Sequence, residues 1–150
     1  FKTALKTLDH TRLGIGAQAV GIAQGALDAA TDYVKERRQF GKAIAEFQNT
    51  QFTLADMATD LEAARLMVLR GAWAIDNDHP EKTKWCAMAK RMATDACFQI
   101  ADEALQLHGG YGYLKDYPIE RFWRDLRVHS ILEGTNQVMR MIVGRELTRQ

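Results

Sequence analysis

Proline and cysteine are nearly missing from this chain, and no stretch of it is both long and apolar. Two prolines, Pro80 and Pro118, occur in 150 residues, and runs of β-branched residues are scarce. With so few breaks and abundant alanine, the composition disfavours a strand-rich fold and favours an all-α one. The two cysteines, Cys86 and Cys97, fall eleven apart on one expected helix. Three turns of rise put them roughly 16 Å apart, beyond the reach of a disulfide. They read as free core thiols in a reducing compartment, and no Cys/His cluster has zinc spacing, so no metal is expected. No apolar run reaches the length of a membrane-spanning helix, and Phe1-Lys2-Thr3 opens without the apolar core of a signal peptide. An excess of one charge is missing as well. A net charge of +1 gives no bulk attraction for nucleic acid. The first residue is not Met, the expectation for a piece of a longer protein.

What is present is a hydrophobic fraction of 47%, enough for the core of one globular domain. Apolar residues recur at three and four, the helical period. Leu13, Ala17, Val20, Gly21, Gln24, Leu27, Thr31 and Val34 predict a first helix from Asp9 or Thr11 to Arg38. Within it, Ala17, Gly21 and Gly25 form a stripe of small residues suited to close helix packing. Leu54, Met57, Ala58, Leu61, Ala64, Val68, Ala72 and Ile75 predict a second helix from Phe47 to Ile75, with Arg65 beside Glu62 as a buried or interfacial ion pair. The third runs from Asp78 or His79, with Pro80 at its first position, to Leu107. Trp85, Met88, Met92, Ala96, Ile100, Ala104 and Leu107 are expected to face inward. Pro118 starts a short helix in which Arg121, Arg124, Asp125 and Arg127 crowd together, and Thr135 caps a last one that ends near Arg149. The plan is an up-and-down four-helix bundle with an additional short helix.

Three stretches stand apart from this pattern. Glu36 to Lys42 ends the first helix with basic residues beside an aromatic and Gly41. It reads either as a solvated helix end or as an anion site. Gln106 to Tyr113 packs three glycines into four residues, and it is neither a P-loop nor a dinucleotide fingerprint. Ile131 to Gln137 places Glu133 just before a helix N-terminus, in a turn loosened by Gly134. From spacing alone, Glu133 is either an acid decorating a helix start or a base at the rim of a buried site.

Taken together, Arg37-Arg38-Gln39-Phe40-Gly41-Lys42, Gln106-Leu107-His108-Gly109-Gly110-Tyr111-Gly112 and Leu132-Glu133-Gly134-Thr135-Asn136-Gln137 resemble, in order and separation, the C-terminal helical domain of the acyl-CoA dehydrogenases. The likeness covers essentially all of residues 1–150. It implies a larger enzyme, whose N-terminal helical and middle β domains are absent here. It implies FAD between this bundle and the β domain, reaching also into a second subunit of a homotetramer or homodimer.

In that family the position of Glu133 removes the α-proton of an acyl-CoA thioester while hydride leaves to flavin N5. Some relatives carry the base near the start of the first helix, where this chain has Thr11, which cannot serve. Thr135 and Gln137 match contacts to FAD of the same subunit. Arg37, Gln39, Phe40 and Gln48, with Gln106, Leu107, Gly109 and Gly110, match contacts to the FAD of a neighbour. Asp9, Arg12 and Gly134 match the substrate side. The resemblance further implies electron-transferring flavoprotein as partner, and a location in the cytoplasm of a bacterium or the mitochondrial matrix of a eukaryote. The short and branched-chain members, isobutyryl-CoA dehydrogenase among them, are nearest in look. Two other readings stay open: an assembly or binding module without chemistry of its own, and an acyl-CoA oxidase on the same scaffold. The 150-residue chain alone is expected to be inactive.

Overall fold

A computed structural model describes residues 2–149, and side chains over 7–149. Helix α1 spans Lys2–Glu36, α2 Gln48–Asp76, α3 Lys82–His108, α4 Ile119–His129 and α5 Asn136–Thr148. Cross-contacts give their directions. Thr83 Oγ1 donates to Asp9 near the start of α1, and Tyr33 Oη donates to the His108 carbonyl near its end, so α1 and α3 run the same way. Arg65 donates to Gln24, and Gly71 lies against Leu13, so α2 runs against both. α4 meets the C-terminal half of α3 through Trp123 Nε1 and Asp102. α5 meets its N-terminal half through Asn136 and Lys90. The expected up-and-down bundle is therefore the fold, and its short helix is not a separate addition. α4 and α5 together form the fourth leg, which is broken between them.

Alanine dominates the interior, with Ala19, Ala23, Ala26, Ala30, Ala64, Ala93, Ala101 and Ala104 fully buried around Met57, Leu61, Ile100, Ile119 and Leu126. Each of the large side chains contributes roughly 1.5–3 kcal/mol on burial, while the alanines let the helix backbones approach. Cys86 and Cys97 are buried free thiols, pushed up to about 11 and about 12 by burial.

Several boundaries and faces differ from expectation. α1 already runs from Lys2, seven residues before Asp9. It ends at Glu36 rather than Arg38. The following residues form a hairpin, strands β1 (Arg38–Gln39) and β2 (Lys42–Ala43), with Arg38 paired to Ala43 and Gln39 to Lys42. α3 starts at Lys82, since Asp78 takes a positive φ of 46° and residues 79–81 stay in a turn.

The Ala17, Gly21, Gly25 stripe turns mostly outward: a Cβ at Gly21 would meet nothing, and one at Gly25 only the Phe122 ring. The close approach is instead at Gly16 and Gly71, where added Cβ atoms would come 3.2 Å from Val68 and 2.7 Å from Leu13. On α3 Ile100 and Ala104 are buried as expected, but nearer its start the buried stripe runs one position away, through Cys86, Lys90, Ala93 and Cys97, leaving Trp85, Met88, Met92 and Ala96 half-buried. Arg65 and Glu62 form an exposed ion pair at 3.3 Å, not a buried one. In α4, Arg121 stacks over Phe122 and Arg127 donates to Ser130.

Candidate functional site

Two clusters gather the singled-out residues, one near each end of α1. The first is built on the break in the fourth leg. α4 stops at His129, and the backbone turns through residues 130–135 before Thr135 caps α5, its Oγ1 accepting from Val138 N at 3.3 Å. Within this turn Glu133 has φ 54° and Gly134 φ 93°. A side chain in the left-handed region costs roughly 1–2 kcal/mol, so the surroundings must hold it there. Ile131 and Leu132 N–H both bond the Val128 carbonyl, and Asn136 N bonds that of Ser130. The Glu133 carboxylate is exposed, and Thr11 Oγ1 on α1 donates to it at 2.8 Å. Thr11 and Glu133, 122 residues apart, thus meet.

Beneath the turn lies a charge that the periodicity did not reveal. Lys90 is fully buried, yet its Nζ donates to the Gly134 carbonyl at 2.9 Å and to Asn136 Oδ1 at 2.8 Å. Burial pushes the Lys90 ammonium down to about 8; Asp95 opposes this, Arg12 adds to it, and Glu133 opposes it. The available signal was register. Lys90 lies four residues after Cys86 and seven before Cys97, on the buried stripe. Asp9 and Arg12 are buried nearby, 6% and 7% exposed, and paired at 3.3 Å. Thr83 takes the other Asp9 oxygen, and Arg12 Nε is buried without an acceptor among the described residues. Gln137 is exposed on the first turn of α5.

The second cluster is a groove of about 440 Å³ where α1 and α3 end. Tyr33, Arg37, Gln39, Gln106, Gly110 and Tyr111 are among its walls. The Arg37 guanidinium stacks over the Tyr111 ring at 5.1 Å, and Tyr33 stacks on His108 at 4.2 Å. Burial holds His108 below its ordinary value and so favours a neutral ring, partly opposed by its bond to the Ala104 carbonyl. Leu107 and His108 close the helix, and Gly109 turns the chain at φ 60° into a 3-10 turn over Gly109–Tyr113. Gly109 and Gly110 leave open space where a Cβ would stand, so their backbone is accessible. Gly112 is needed for packing instead: its Cβ would lie 2.8 Å from the Leu105 carbonyl oxygen.

Beside the groove, the hairpin carries Phe40 (φ 53°) and Gly41 (φ 82°) in a two-residue turn, with Phe40 93% exposed. Gln48 is exposed at the start of α2. Tyr33 was not singled out from sequence, although it lies one helical turn before Arg37 on the same face. Among the described residues, no group of three or more His, Cys, Asp or Glu is arranged to hold a metal ion.

The clusters do not share one small-molecule site within the chain. From Thr11 to Arg37 the helix rises roughly 40 Å at 1.5 Å per residue. A bundle with an acidic turn at one level and a basic, glycine-lined groove at the far end defines an all-α domain that divides its polar sites between two places. The family to which such a domain belongs follows from comparison: residues 1–148 match the acyl-CoA dehydrogenase C-terminal domain. This chain belongs to the acyl-CoA dehydrogenase family. It is 51% identical to the mitochondrial isobutyryl-CoA dehydrogenase of Dictyostelium discoideum over 149 residues, 99% of this chain and 36% of that one. It is also 51% identical to subunit CarC of the caffeyl-CoA reductase-Etf complex of Acetobacterium woodii over 150 residues, 100% of this chain and 39% of that one. The solved butyryl-CoA dehydrogenase of Megasphaera elsdenii superposes with a TM-score of 0.96 at 45% identity, covering 99% of this chain and 39% of the other. The chain therefore spans well under half the length of these relatives. Among the described residues no helix is long and apolar enough to cross a membrane.

Proposed function

We propose that this chain is the C-terminal domain of an enzyme that removes hydrogen across the α–β bond of an acyl-CoA thioester, with Glu133 taking the α-proton. One observation carries the reading. A carboxylate is presented in a strained turn at the mouth of a helix N-terminus, held by Thr11 and backed by the family membership. A base of this kind gains strength where water is excluded. Glu133 is exposed here, so the acyl-CoA and the rest of the enzyme would supply that cover. The Glu133 backbone N–H is the donor assigned to the thioester oxygen as negative charge grows there. Gly134 lets the acyl group lie close. Asp9 and Arg12 stand on the substrate side, and their burial confines Arg12 to orienting work unless the pair opens.

The residues present fit FAD. Arg37 offers a guanidinium for a pyrophosphate beside an aromatic wall, and Gly109 and Gly110 offer unobstructed backbone. Gln39, Phe40, Gln48, Gln106 and Leu107 complete that end, while Thr135 and Gln137 would touch the flavin side of a different FAD. When bound, FAD supplies acceptance of the β-hydrogen as hydride. The roughly 40 Å between the clusters supports a homotetramer or homodimer in which each chain serves two cofactors. Electron-transferring flavoprotein is the proposed electron acceptor, and a short or branched acyl chain the proposed substrate. The likeness to a caffeyl-CoA reductase subunit favours a second reading, the same residues run in reverse, with Glu133 delivering the α-proton.

The test is the full-length protein carrying Glu133→Gln. It is expected to retain FAD and to remain yellow when mixed anaerobically with an acyl-CoA that bleaches the wild type. Rapid bleaching would overturn the assignment.

A further inference from the structure

We propose that Lys90 is a positioning residue for the Glu133 turn: reaching from α3 into the break between α4 and α5, its ammonium holds the Gly134 carbonyl and the Asn136 side chain and thereby sets the direction of the Glu133 carboxylate. The inference rests on the reading of Glu133 as the base.

A lysine at a fully buried position loses its hydration, and an apolar side chain of the same length would fill the space without that loss. The ammonium is kept where backbone would otherwise lack partners. A continuous fourth leg would satisfy its own carbonyls, but the break between α4 and α5 does not. Lys90 Nζ supplies the Gly134 carbonyl at 2.9 Å, one residue after the left-handed φ of Glu133. Its second bond, 2.8 Å to Asn136 Oδ1, grips the first residue of α5.

Asn136 is itself fixed, its Nδ2 donating to Thr94 Oγ1 at 2.9 Å and to Asp95 Oδ1 at 2.7 Å. Thr94 Oγ1 returns to the Lys90 carbonyl at 2.9 Å, so the network closes on α3. The second residue of the left-handed pair, Gly134, and the first residue of α5, Asn136, are thus tied to one rigid helix. Thr11 holds the carboxylate from α1 at the other end. The charges facing the ammonium are Asp95 on its own helix, Arg12 on α1 and Glu133 in the turn. With Lys90 removed, the carbonyl loses its donor and the turn one of the ties that keep it left-handed.

The experiment uses the full-length flavoprotein. Lys90→Met keeps length and removes the donor. Its flavin is expected to bleach ten- to a hundredfold more slowly with saturating acyl-CoA, while FAD content stays full and the acyl-CoA concentration for half-maximal rate changes less than threefold. Placed on a Glu133→Asp background, whose shorter carboxylate is already misdirected, Lys90→Met is expected to cost under threefold more. A wild-type rate in Lys90→Met, or an equal loss on both backgrounds, overturns the positioning role. If Lys90→Met fails to accumulate as a folded flavoprotein, Asn136→Ala decides. A three- to tenfold slower bleaching with FAD and affinity intact supports the role, and a wild-type rate overturns it. Glu133→Gln measured alongside separates the two readings. Fast bleaching there sinks the base assignment itself, whereas a silent Glu133→Gln with a normal Lys90→Met sinks only the role of Lys90.

Discussion

Phe40-Gly41 and Glu133-Gly134 are the same local device, a left-handed residue with a side chain followed by a left-handed glycine, used near opposite ends of α1. They differ in what holds them. The Phe40 turn tips a two-residue hairpin, and its ring stands almost wholly in solvent, touching Phe47 edge-on at 6.3 Å. The Glu133 turn is tied from below by a buried ammonium and from the side by Thr11. An exposed turn can present a side chain to another molecule and adjust to it. A turn fixed on rigid helices keeps a reacting group in place before the substrate arrives. On the proposed function, the first turn would serve cofactor recognition across subunits and the second the chemistry.

That division is open to direct attack. Apart from the changes at Glu133 and Lys90, the largest effect is expected at the groove end. Arg37→Ala removes a charge-assisted bond of roughly 1.5–3 kcal/mol, so FAD affinity of the full-length protein should fall about ten- to a hundredfold. Flavin bleaching in the fraction still holding FAD should keep its rate. A normal affinity with a slowed rate would merge the two regions. Smaller effects should separate the glycines. Gly41→Ala and Gly134→Ala both force a side chain to positive φ, at roughly 1–2 kcal/mol in thermal unfolding. Only at Gly134 does the new Cβ also meet the Met139 methyl, at 2.9 Å, against open space at Gly41. Gly134→Ala should therefore be the more destabilised of the pair and the only one with slowed bleaching.

The smallest effect is in pH. The Lys90 ammonium is depressed to about 8 in the folded protein. The unfolded chain therefore binds the extra proton between about pH 8 and the ordinary lysine range, and this group's contribution to stability rises with pH across that window. It is fully present above the ordinary lysine value and lost as pH falls through about 8. Melting curves of wild type minus Lys90→Met should climb from pH 8 toward pH 10. A flat difference would mean the ammonium is not desolvated.

Much of the bundle was legible in sequence because long helices repeat their evidence. The span of the second helix, the Thr135 cap and the free thiols came out as the periodicity and spacing read, although Ala58 of that helix's expected apolar face is exposed. The hairpin at 38–43 did not, since two-residue strands carry no alternation and Phe40-Gly41 lacks the Asn-Gly or Asp-Gly signature of its turn. Ile100 and Ala104 were read correctly, but the first half of the inward face of α3 was misread by one position because large Met and Trp side chains were weighed above Ala, Thr and Cys, yet close helices bury the small ones. Lys90 escaped for the same reason: a charge inside a helix reads as surface until its register with Cys86 and Cys97 is checked. The meeting of Thr11 with Glu133 and the roughly 40 Å between the clusters are tertiary facts. No local pattern encodes them.

The central claim is that Glu133 is the base, held ready by its turn. Anaerobic mixing of full-length Glu133→Gln flavoprotein with acyl-CoA, followed by flavin absorbance, tests it most directly. The account predicts full FAD content, undiminished acyl-CoA binding, and bleaching slowed about 10²–10⁴-fold. Bleaching at the wild-type rate would contradict it.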